Sequence, residues 1–326
     1  MTQNYKVTVV VPIYKVESFI ERCVRTLMSQ TLTEIEYVFV DDASPDCSVQ
    51  ILQDMIRHYP ERMDHIRIIH HEVNKGLPAA RNTGLSIAQG EYVFHCDSDD
   101  YVDLTMLEDL YKTAILNKSD IVWCDWYLTY ANKERYMSQP SFTTSIDAVR
   151  AMLGGSMKFN VWNKLVRRSL YADYNITFPS GYGMGEDMTM IMLFARAKSV
   201  TYIPKAYYHY VKMNSNAFSQ TYSERHLKEL EFNVGRITEY LHMLFGNELE
   251  AELNFLRLEA KFPFLLTNNF KRWEEWYPES NKFIVKNKYI SGRSRLVQWL
   301  AFRKQYWLVW IYNQLLNKFI YGVIFR

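Results

Sequence analysis

The sequence predicts an α/β fold with a mostly parallel sheet flanked by helices, followed by a helical C-terminal extension. Short runs rich in Val and Ile alternate with amphipathic segments in the first part of the chain, which is typical of strands and helices taking turns. The apolar runs are nearly continuous, which indicates strands buried on both faces, as in parallel sheets. Beyond about residue 222 the sequence is almost entirely typical of helix.

The predicted elements follow one another in a regular order up to about residue 130. The predicted strands are KVTVVVPIY, EIEYVFVDD, HIRIIHH, EYVFHCD and DIVWCDWYLTY. The predicted helices between them are VESFIERCVRTLMSQ, SPDCSVQILQDMIRHY, PAARNTGLSIAQG and LTMLEDLYKTAILN. We expect Ser44 to cap the second helix, with Pro45 in its first turn. After about residue 140, the segments AVRAML, VWNKLVRRSLYADY and EDMTMIMLFARA are predicted to be helical and SVTYIPKAYYHYV to be extended.

Composition excludes some classes of protein. The chain has 326 residues, 48% of them hydrophobic, which is enough for a substantial core. Its formal net charge of +2 gives no reason to expect nucleic acid as a partner. The N-terminal sequence lacks the pattern of a secretory signal, so we expect a cytoplasmic location.

A cluster of acids ends the fourth predicted strand. Four aspartates, Asp97, Asp99, Asp100 and Asp103, lie within seven residues directly after an apolar run. Like charges this close raise one another's pKa unless something positive lies among them. A bound metal ion, a basic partner side chain and a solvated acidic loop are the three alternatives. A calcium loop is disfavoured, because Tyr101 and Val102 stand at its fifth ligand and its obligatory glycine.

The sequence lacks the usual backbone cradles for a diphosphate. Neither the G-x-G-x-x-G pattern nor the G-x-x-x-x-G-K-[ST] pattern follows the first strand. A divalent cation can neutralise a diphosphate instead, and Mg²⁺ or Mn²⁺ prefers carboxylate oxygens supplemented by substrate phosphates. We therefore expect Mn²⁺ or Mg²⁺ at the DSD segment. Ligands of such sheets bind beyond the carboxyl ends of the strands, where Tyr14, Asp41 and Asp42 are also expected.

Several separate motifs together resemble a known family. They are VVVPIYKVESFIERCVRTLMSQTLTEIEYVFVDDASPD, NKGLPAARNTGLSIAQGEYVFHCDSDDYV, WNKLVRRSL and GYGMGEDM. In this order and spacing they are similar to inverting family-2 glycosyltransferases with the GT-A fold, of the kind that build bacterial surface polysaccharides. The resemblance covers residues 6 to about 215. It implies a GT-A-like catalytic domain at 1–220, whereas the residues themselves predict a helical, basic and aromatic region at 221–326.

The resemblance also implies roles for single residues. It places Pro12 and Tyr14 at the base pocket, Asp42 at the uracil edge, and Arg81 near the base or phosphates. It assigns the ribose to Asp97, the metal to Asp99 and the general base to Asp187. A basic or histidine element late in the domain meets the diphosphate in related enzymes; among His209, Lys212 and Ser215 we choose Lys212. The segment Trp162-Asn163-Lys164 is expected near the donor sugar or the acceptor.

These assignments imply a metal-dependent glycosyltransferase. It would move a sugar from a nucleotide-sugar, expected to be a UDP-sugar, to a hydroxyl of a saccharide or lipid-linked saccharide, with inversion. Asp187 follows Gly183, Gly185 and Glu186 in a loop that opens a helix, where the helix dipole favours the ionised carboxylate. Two alternatives stay open, a nucleotidyltransferase and a non-catalytic sugar-nucleotide-binding protein.

The C-terminal region suggests an additional partner. From Asn281 onward the sequence contains no Asp or Glu, whereas Lys, Arg, Trp and Phe recur. Basic, Trp-rich helices are typical of membrane interfaces. The run YWLVWIY is too short to span a bilayer. We therefore expect peripheral binding to an anionic membrane surface, with packing on the catalytic domain or in a dimer as the alternative.

Overall fold

The computed structural model describes residues 4–213 and 223–316. Its strands form one nine-stranded sheet. They are β1 (Val7–Ile13), β2 (Ile35–Asp41), β3 (Ile66–His70), β4 (Tyr92–His95), β5 (Tyr101–Val102), β6 (Ile121–Thr129), β7 (Glu134–Met137), β8 (Lys164–Arg167) and β9 (Val200–Val211). The order across the sheet is β3-β2-β1-β4-β8-β6-β9-β5, with β7 paired to β6.

Twelve α-helices are described. They are α1 (Ile20–Met28), α2 (Ser48–Ile56), α3 (Leu77–Ile87), α4 (Met106–Leu116), α5 (Ser145–Gly154), α6 (Arg168–Asp173), α7 (Thr189–Arg196), α8 (Glu224–Phe245), α9 (Glu250–Leu266), α10 (Phe270–Glu275), α11 (Gly292–Phe302) and α12 (Tyr306–Leu316). Short 3₁₀ helices cover Pro60–His65, Glu186–Met188 and Pro278–Lys286.

The N-terminal half of the sheet is parallel, as the apolar runs predict. Strand β1 lies between β2 and β4 and pairs in parallel with both, and β3 extends the same arrangement. All residues of β1, β2 and β4 are buried. Burial on both faces explains why these strands lack the alternation of polar and apolar residues seen in half-exposed sheets.

The other half of the sheet is mixed. Strand β8 runs antiparallel between β4 and β6, whereas β6 and β9 run parallel to each other. The prediction that VWNKLVRRSLYADY is helical is therefore wrong for Lys164–Arg167, which form β8, and right for Arg168–Asp173, which form α6. A short apolar run does not distinguish strand from helix by its own periodicity. Backbone pairing with β4 on one side and β6 on the other makes Lys164–Arg167 a strand.

The predicted cap of the second helix is also wrong. Helix α2 begins at Ser48, four residues after Ser44. The Ser44 hydroxyl instead accepts a hydrogen bond from the Lys15 backbone N–H at 2.8 Å and donates to Asp46 at 2.6 Å. These contacts join the loop after β1 to the loop after β2. The polar segment after β2 therefore forms part of the loops at the carboxyl edge of the sheet and does not extend the helix.

The described chain forms two compact units. One contains residues 4–148 and 159–233 with a gap at 214–222, and includes the sheet; the other contains 149–158 and 234–316 and is helical. The expected division into functional domains at residues 220 and 221 stays a prediction. Within the described ranges, no helix combines the length and the apolar character needed to cross a bilayer.

Candidate active site at the carboxyl edge of the sheet

The carboxyl ends of β1, β2 and β4 meet at one edge of the sheet. Ile13, the last residue of β1, is the register partner of Asp41 at the end of β2, and Val10 is the partner of His95 at the end of β4. Pro12 is buried within β1, and Tyr14 follows the strand with 41% of its surface exposed. The expected ligand edge of the sheet therefore exists, with an accessible aromatic ring beside it.

Asp42 is buried and organises the adjoining loop. Its Oδ1 accepts a hydrogen bond from the backbone N–H of Lys75, and its Oδ2 accepts one from that of Gly76, both at 2.8 Å. The His71 ring nitrogen Nδ1 lies 2.7 Å from Oδ1. The carboxylate thus ties the end of β2 to the segment that opens α3. No local sequence pattern indicates His71 as its partner.

The aspartates of the DSDD cluster have different environments. Asp97 Oδ1 accepts a hydrogen bond from Arg81 at 2.8 Å. Asp100 is fully buried and accepts from the Tyr208 hydroxyl and the Val211 backbone N–H, both at 2.7 Å. Burial, and then the charges of Asp99 and Asp97, raise the pKa of Asp100 well above its ordinary value. Protein donors therefore account for part of the cluster, and Asp99 is the partly exposed acid between them.

Asp103, the last acid of the cluster, pairs with His209. The His209 ring has Asp103 3.1 Å from Nε2 and Glu134 2.7 Å from Nδ1. It also stacks on Tyr101 at a centroid distance of 4.2 Å. His209 is thus held in place by two carboxylates and an aromatic ring.

Arg81 of α3 lies inside the protein with 1% of its surface exposed. Its Nη2 donates to Asp97 Oδ1 at 2.8 Å, and its Nε donates to Glu186 Oε1 at 3.1 Å. Burial opposes its charge, but the carboxylates of Glu186 and Asp97 more than offset this effect and raise the pKa of Arg81. In this conformation, the hydrogen bond to Asp97 is the contact between Arg81 and the expected ligand edge of the sheet.

The loop that carries Asp187 is firmly anchored. Gly185 has a φ of +82°, in the left-handed region that favours glycine, and a 3₁₀ turn over Glu186–Met188 leads into α7. The Met184 backbone N–H donates to Glu229 of α8 at 3.0 Å. Asn233 Nδ2 donates to the carbonyls of Tyr182 at 3.2 Å and Met184 at 3.0 Å. The predicted helix-opening loop is confirmed, with α8 as its support.

Asp187 is half-buried, and its pKa is high for an aspartate. Burial, followed by the charge of Glu186, raises its pKa to about 7, while Arg81 and Lys164 act in the opposite direction. The expected effect of the helix dipole is therefore outweighed by desolvation and a like charge. A carboxylate with a pKa near neutrality suits a general base, because it is ionised at working pH and still binds a proton well.

The WNK segment lies against the same region. Trp162 stacks on Tyr208 with ring centroids 4.4 Å apart. Lys164 is buried, and its Nζ donates to the Asn160 carbonyl at 2.7 Å and to Asn163 Oδ1 at 2.8 Å. Burial lowers the pKa of Lys164 to about 7, and the charge of Asp187 partly opposes this shift.

Lys212, the residue expected to meet the diphosphate, follows the last strand. It is exposed, and its Nζ lies 4.9 Å from the centroid of the Tyr210 ring. Its backbone N–H donates to the Thr129 carbonyl at 2.9 Å. Ser215, the alternative named with it, lies outside the described residues.

The residues present fit a divalent cation shared with a diphosphate. Asp99 is a partly exposed carboxylate just beyond β4, and Mg²⁺ or Mn²⁺ bound with substrate phosphates needs only one or two such ligands. Among the described residues, no group of three or more His, Cys, Asp or Glu side chains is arranged to hold a metal.

Glu186 appears in the sequence analysis only as a neighbour of Asp187, and Tyr208 does not appear there, but both contact expected site residues. Tyr208 donates to Asp100 and accepts a hydrogen bond from the Asp97 backbone N–H at 3.1 Å. A buried tyrosine hydroxyl needs such partners, but the sequence does not show which strand supplies them. Glu186 has a detectable signal in the sequence, because an acid directly before the expected general base brings a like charge close to it.

Comparison with known proteins gives a consistent result. Residues 8–184 match the family model described as glycosyl transferase family 2. The chain is 31% identical over 275 residues to the uncharacterized glycosyltransferase EpsJ of Bacillus subtilis, covering 80% of this chain and 77% of that protein. It is 30% identical over 296 residues to the poly(ribitol-phosphate) beta-glucosyltransferase of Bacillus spizizenii, covering 86% of this chain and 45% of that protein.

A solved structure has the same fold. The crystal structure of S. aureus TarS residues 1–349 in complex with UDP-GlcNAc superposes with a TM-score of 0.68 at 23% sequence identity. The match covers 97% of this chain and 92% of the TarS chain. The predicted fold class is therefore confirmed. Asp187 lies three residues beyond the stretch matched by the family model.

Proposed function

Because this chain belongs to glycosyl transferase family 2, we propose that it is a metal-dependent, inverting enzyme that transfers a sugar from a UDP-sugar to an acceptor hydroxyl. One observation carries the proposal. The ligand edge of the sheet, with Asp97 and Asp99, is joined through the buried Arg81 to the loop that holds Asp187, an acid with a pKa of about 7. A donor site and a general base are thus parts of one connected arrangement.

The donor nucleotide binds across the carboxyl edge of the sheet. The exposed ring of Tyr14 and the backbone beside Pro12 border the base. Asp42 Oδ2 accepts one hydrogen bond from the described residues, from Gly76, so it retains a lone pair for an imide N–H of uracil. Asp97, with 23% of its side chain exposed, faces the ribose hydroxyls. TarS, which has the same fold, binds UDP-GlcNAc, and this supports the choice of a UDP-sugar.

The diphosphate carries charge that the protein must balance. Asp99 would hold the Mn²⁺ or Mg²⁺, and Lys212 is the cation expected to meet the diphosphate. A bound divalent cation supplies Lewis-acid stabilisation of the negative charge that develops on the departing diphosphate. The chain's own part is to keep Asp99 partly exposed while Asp97 and Asp100 are held by Arg81 and Tyr208.

Asp187 acts on the acceptor. Its carboxylate takes the proton of the acceptor hydroxyl as that oxygen bonds to the anomeric carbon. The bond between this carbon and the diphosphate oxygen breaks in the same displacement, and its electron pair leaves with UDP. Attack on the face opposite the leaving group inverts the anomeric configuration. A single carboxylate on the acceptor side suffices, so no covalent glycosyl-enzyme forms.

The acceptor is a saccharide, free or lipid-linked, of a bacterial surface polysaccharide. By its name, one relative transfers glucose to poly(ribitol-phosphate), and this supports a polymeric acceptor. A nucleotidyltransferase, the alternative with a similar sheet, would leave Asp187 without a role. Membership of the glycosyltransferase family also disfavours a non-catalytic binding protein.

We propose in addition that the C-terminal helices bind an anionic membrane surface peripherally. Large apolar side chains at helical spacing are exposed on α12, namely Trp307, Trp310, Ile311 and Leu315, whereas Val309 and Asn313 are buried. On α11, the exposed Leu296 and Trp299 lie between Arg293 and Arg303. Lys318, Phe319, Phe325 and Arg326, which contributed to this expectation, lie outside the described residues.

Binding of nucleotide-sugars tests the proposed donor. Thermal shifts are measured with UDP-, GDP- and dTDP-sugars, each with and without Mn²⁺. We expect a UDP-sugar to raise the melting temperature, and to raise it more when Mn²⁺ is present. The reason is that the cation neutralises the diphosphate, whose oxygens in turn serve as ligands to the cation. Equal responses to all three nucleotides, or a response that ignores Mn²⁺, would refute the donor and metal assignments respectively.

A further inference from the structure

The buried Arg81 connects the two ends of the proposed reaction. One nitrogen of its guanidinium binds Asp97 on the donor side, and another binds Glu186, the residue before the proposed general base. We infer that Arg81 is a positioning residue that fixes Asp187 relative to the donor and sets the charge around it. This inference rests on the proposed function, because it takes Asp187 as the base.

The geometry requires an arginine. The two carboxylates approach different edges of the same planar group, Glu186 at Nε and Asp97 at Nη2. A lysine has a single nitrogen and lacks this rigid fork. Arg81 Nη1 is buried and has no hydrogen-bond partner among the described residues, so the two carboxylates are the main support of its charge. Loss of either one leaves a poorly compensated charge inside the protein.

Helix α3 holds the base-bearing segment at a second point. Asn82, the residue after Arg81, donates from Nδ2 to the Phe178 carbonyl and accepts from the Phe178 backbone N–H, both at 2.8 Å. Phe178 precedes the Asp187 loop in the chain, and Glu186 lies within it. Two neighbouring residues of one helix therefore hold both ends of the segment. Helix α3 therefore helps to place this segment against the donor edge, together with the contacts from Glu229 and Asn233 of α8.

The donor side of the link is equally fixed. Asp97 accepts from Arg81 through its side chain, and its backbone N–H donates to Tyr208 at 3.1 Å. The Tyr208 ring in turn stacks on Trp162. These packed side chains therefore oppose a displacement of Asp97. The position of Asp97 in turn constrains Arg81 and, through Arg81, Glu186. Misplacement of a reacting group by about 1 Å can cost on the order of 10² in rate.

A positioning role differs from a purely structural one in its electrostatic signature. The charged groups that face Asp187 are Glu186, Arg81 and Lys164. Removing the Arg81 cation raises the pKa of Asp187, because the ionised carboxylate loses a favourable charge. Removing the Glu186 anion lowers it. A residue that only braces the fold would change the rate or the stability without moving the base's titration in opposite directions.

The test compares three full-length variants by the pH dependence of kcat for donor turnover. Arg81→Met is expected to lower kcat by about 10- to 100-fold. It is also expected to move the acidic limb of the pH profile, where kcat falls as Asp187 is protonated, to higher pH by about one unit. Glu186→Gln keeps an oxygen for Arg81 Nε and removes only the charge, so the limb is expected to move down. In the double variant the two shifts offset each other, and the limb returns near its original position.

Arg62→Met is the matched control. Arg62 is also a buried arginine, but it donates to the backbone carbonyls of Gln30, Leu32 and Thr33. We expect it to lower the melting temperature and leave the limb in place. If Arg81→Met does not fold, Glu186→Gln and the double variant decide the question, because the double variant retains no unpaired Glu186 charge.

The outcomes separate the inference from its premise. Limbs that stay at the wild-type pH in Arg81→Met and Glu186→Gln would reduce Arg81 to a structural brace and overturn the inference. An Asp187→Asn variant that turns over donor at the wild-type rate would instead refute the proposed function, whatever the Arg81 variants do.

Discussion

Neighbouring acids of one short segment have different chemistry because each meets a different partner. Asp100 is buried against Tyr208 and the Val211 backbone, and its raised pKa favours the neutral form. Asp97 faces the Arg81 cation. Asp99 remains partly exposed at the ligand edge. The repulsion evident in the sequence is thus relieved in different ways, which composition alone does not show.

Asp99→Asn tests the metal assignment. We expect the variant to bind UDP more weakly in the presence of Mn²⁺ and about equally without it, because a charged ligand is lost from a site with few protein ligands. Titration calorimetry with and without Mn²⁺ measures both affinities. The matched control is Asp54→Asn, an exposed acid on α2. Unchanged Mn²⁺-dependent affinity in Asp99→Asn would contradict the assignment.

The pH profile tests the state of Asp187. Because the pKa of Asp187 is about 7, we expect the proposed base to be protonated, and activity to fall, as the pH drops through about 7. The same shift predicts that the folded protein loses stability as pH rises from the ordinary aspartate range toward 7, since the unfolded chain ionises first. We therefore expect Asp187→Asn to abolish most activity and to unfold at a higher denaturant concentration than wild type at pH 8. An activity limb near pH 4, with no stability gain, would contradict this assignment.

At the scale of elements, β9 shows what sequence patterns reveal and what they omit. The run SVTYIPKAYYHYV predicts an extended segment, and β9 confirms it. Its neighbouring tyrosines have different partners. Tyr208 binds Asp100 and the Asp97 backbone, whereas the Tyr207 hydroxyl donates to Asp109 at 2.8 Å. Strand periodicity puts successive residues on opposite faces of the sheet. The order of the strands in the sheet determines which of these faces lies against Asp97 and Asp100.

Phenylalanine substitutions on β9 use this difference. Tyr208→Phe and Tyr207→Phe each remove one buried hydroxyl, and each is expected to cost about 1–3 kcal/mol of stability. Tyr208→Phe should also weaken binding of UDP with Mn²⁺, because the Asp97 and Asp100 segment loses its support. Tyr207→Phe should leave that affinity unchanged. Equal affinities in the two variants would show that Tyr208 is not part of the site.

The predictable elements are those whose signal is local. The N-terminal βαβ units follow from continuous apolar runs alternating with amphipathic segments, and all of their strands form where expected. Strand β8 was not predictable, because its backbone is paired by β4 and β6 from distant parts of the chain. The Arg81 link has the same origin, since Asp97 and Glu186 come together only in the folded sheet. Motif resemblance predicts Asp97, Asp99 and Asp187 as site residues, but it does not predict their partners.

At the scale of the whole molecule, the chain combines a sheet-containing unit with a helical one. The helical unit exposes Trp307 and Trp310, with 61% and 50% of their surfaces accessible, in a stretch of sequence that contains no Asp or Glu from Asn281 onward; Glu274 is an acid that pairs with the nearby Lys304. Cations near an anionic leaflet contribute about 1 kcal/mol each. An acceptor on a lipid carrier would be presented at such a surface.

Liposome sedimentation tests the membrane proposal. We expect the full-length protein to co-sediment with phosphatidylglycerol-containing vesicles at low salt and to be released at high salt. The double variant Trp307→Ser/Trp310→Ser should bind less while keeping its UDP affinity. Leu116→Ser, at a highly exposed apolar residue of α4, is the control and should bind like wild type. Equal sedimentation of all three proteins would refute a membrane role for α12.

The most direct test of the central claim is the anomeric configuration of the sugar released from a UDP-sugar. Slow transfer to water makes this possible without a known acceptor, and proton NMR detects the first-formed anomer before mutarotation. We predict that an α-linked donor such as UDP-GlcNAc gives UDP and the β-anomer, and that Asp187→Asn gives neither at a comparable rate. Release of the α-anomer, or of pyrophosphate in place of UDP, would contradict an inverting glycosyltransferase with Asp187 as its base.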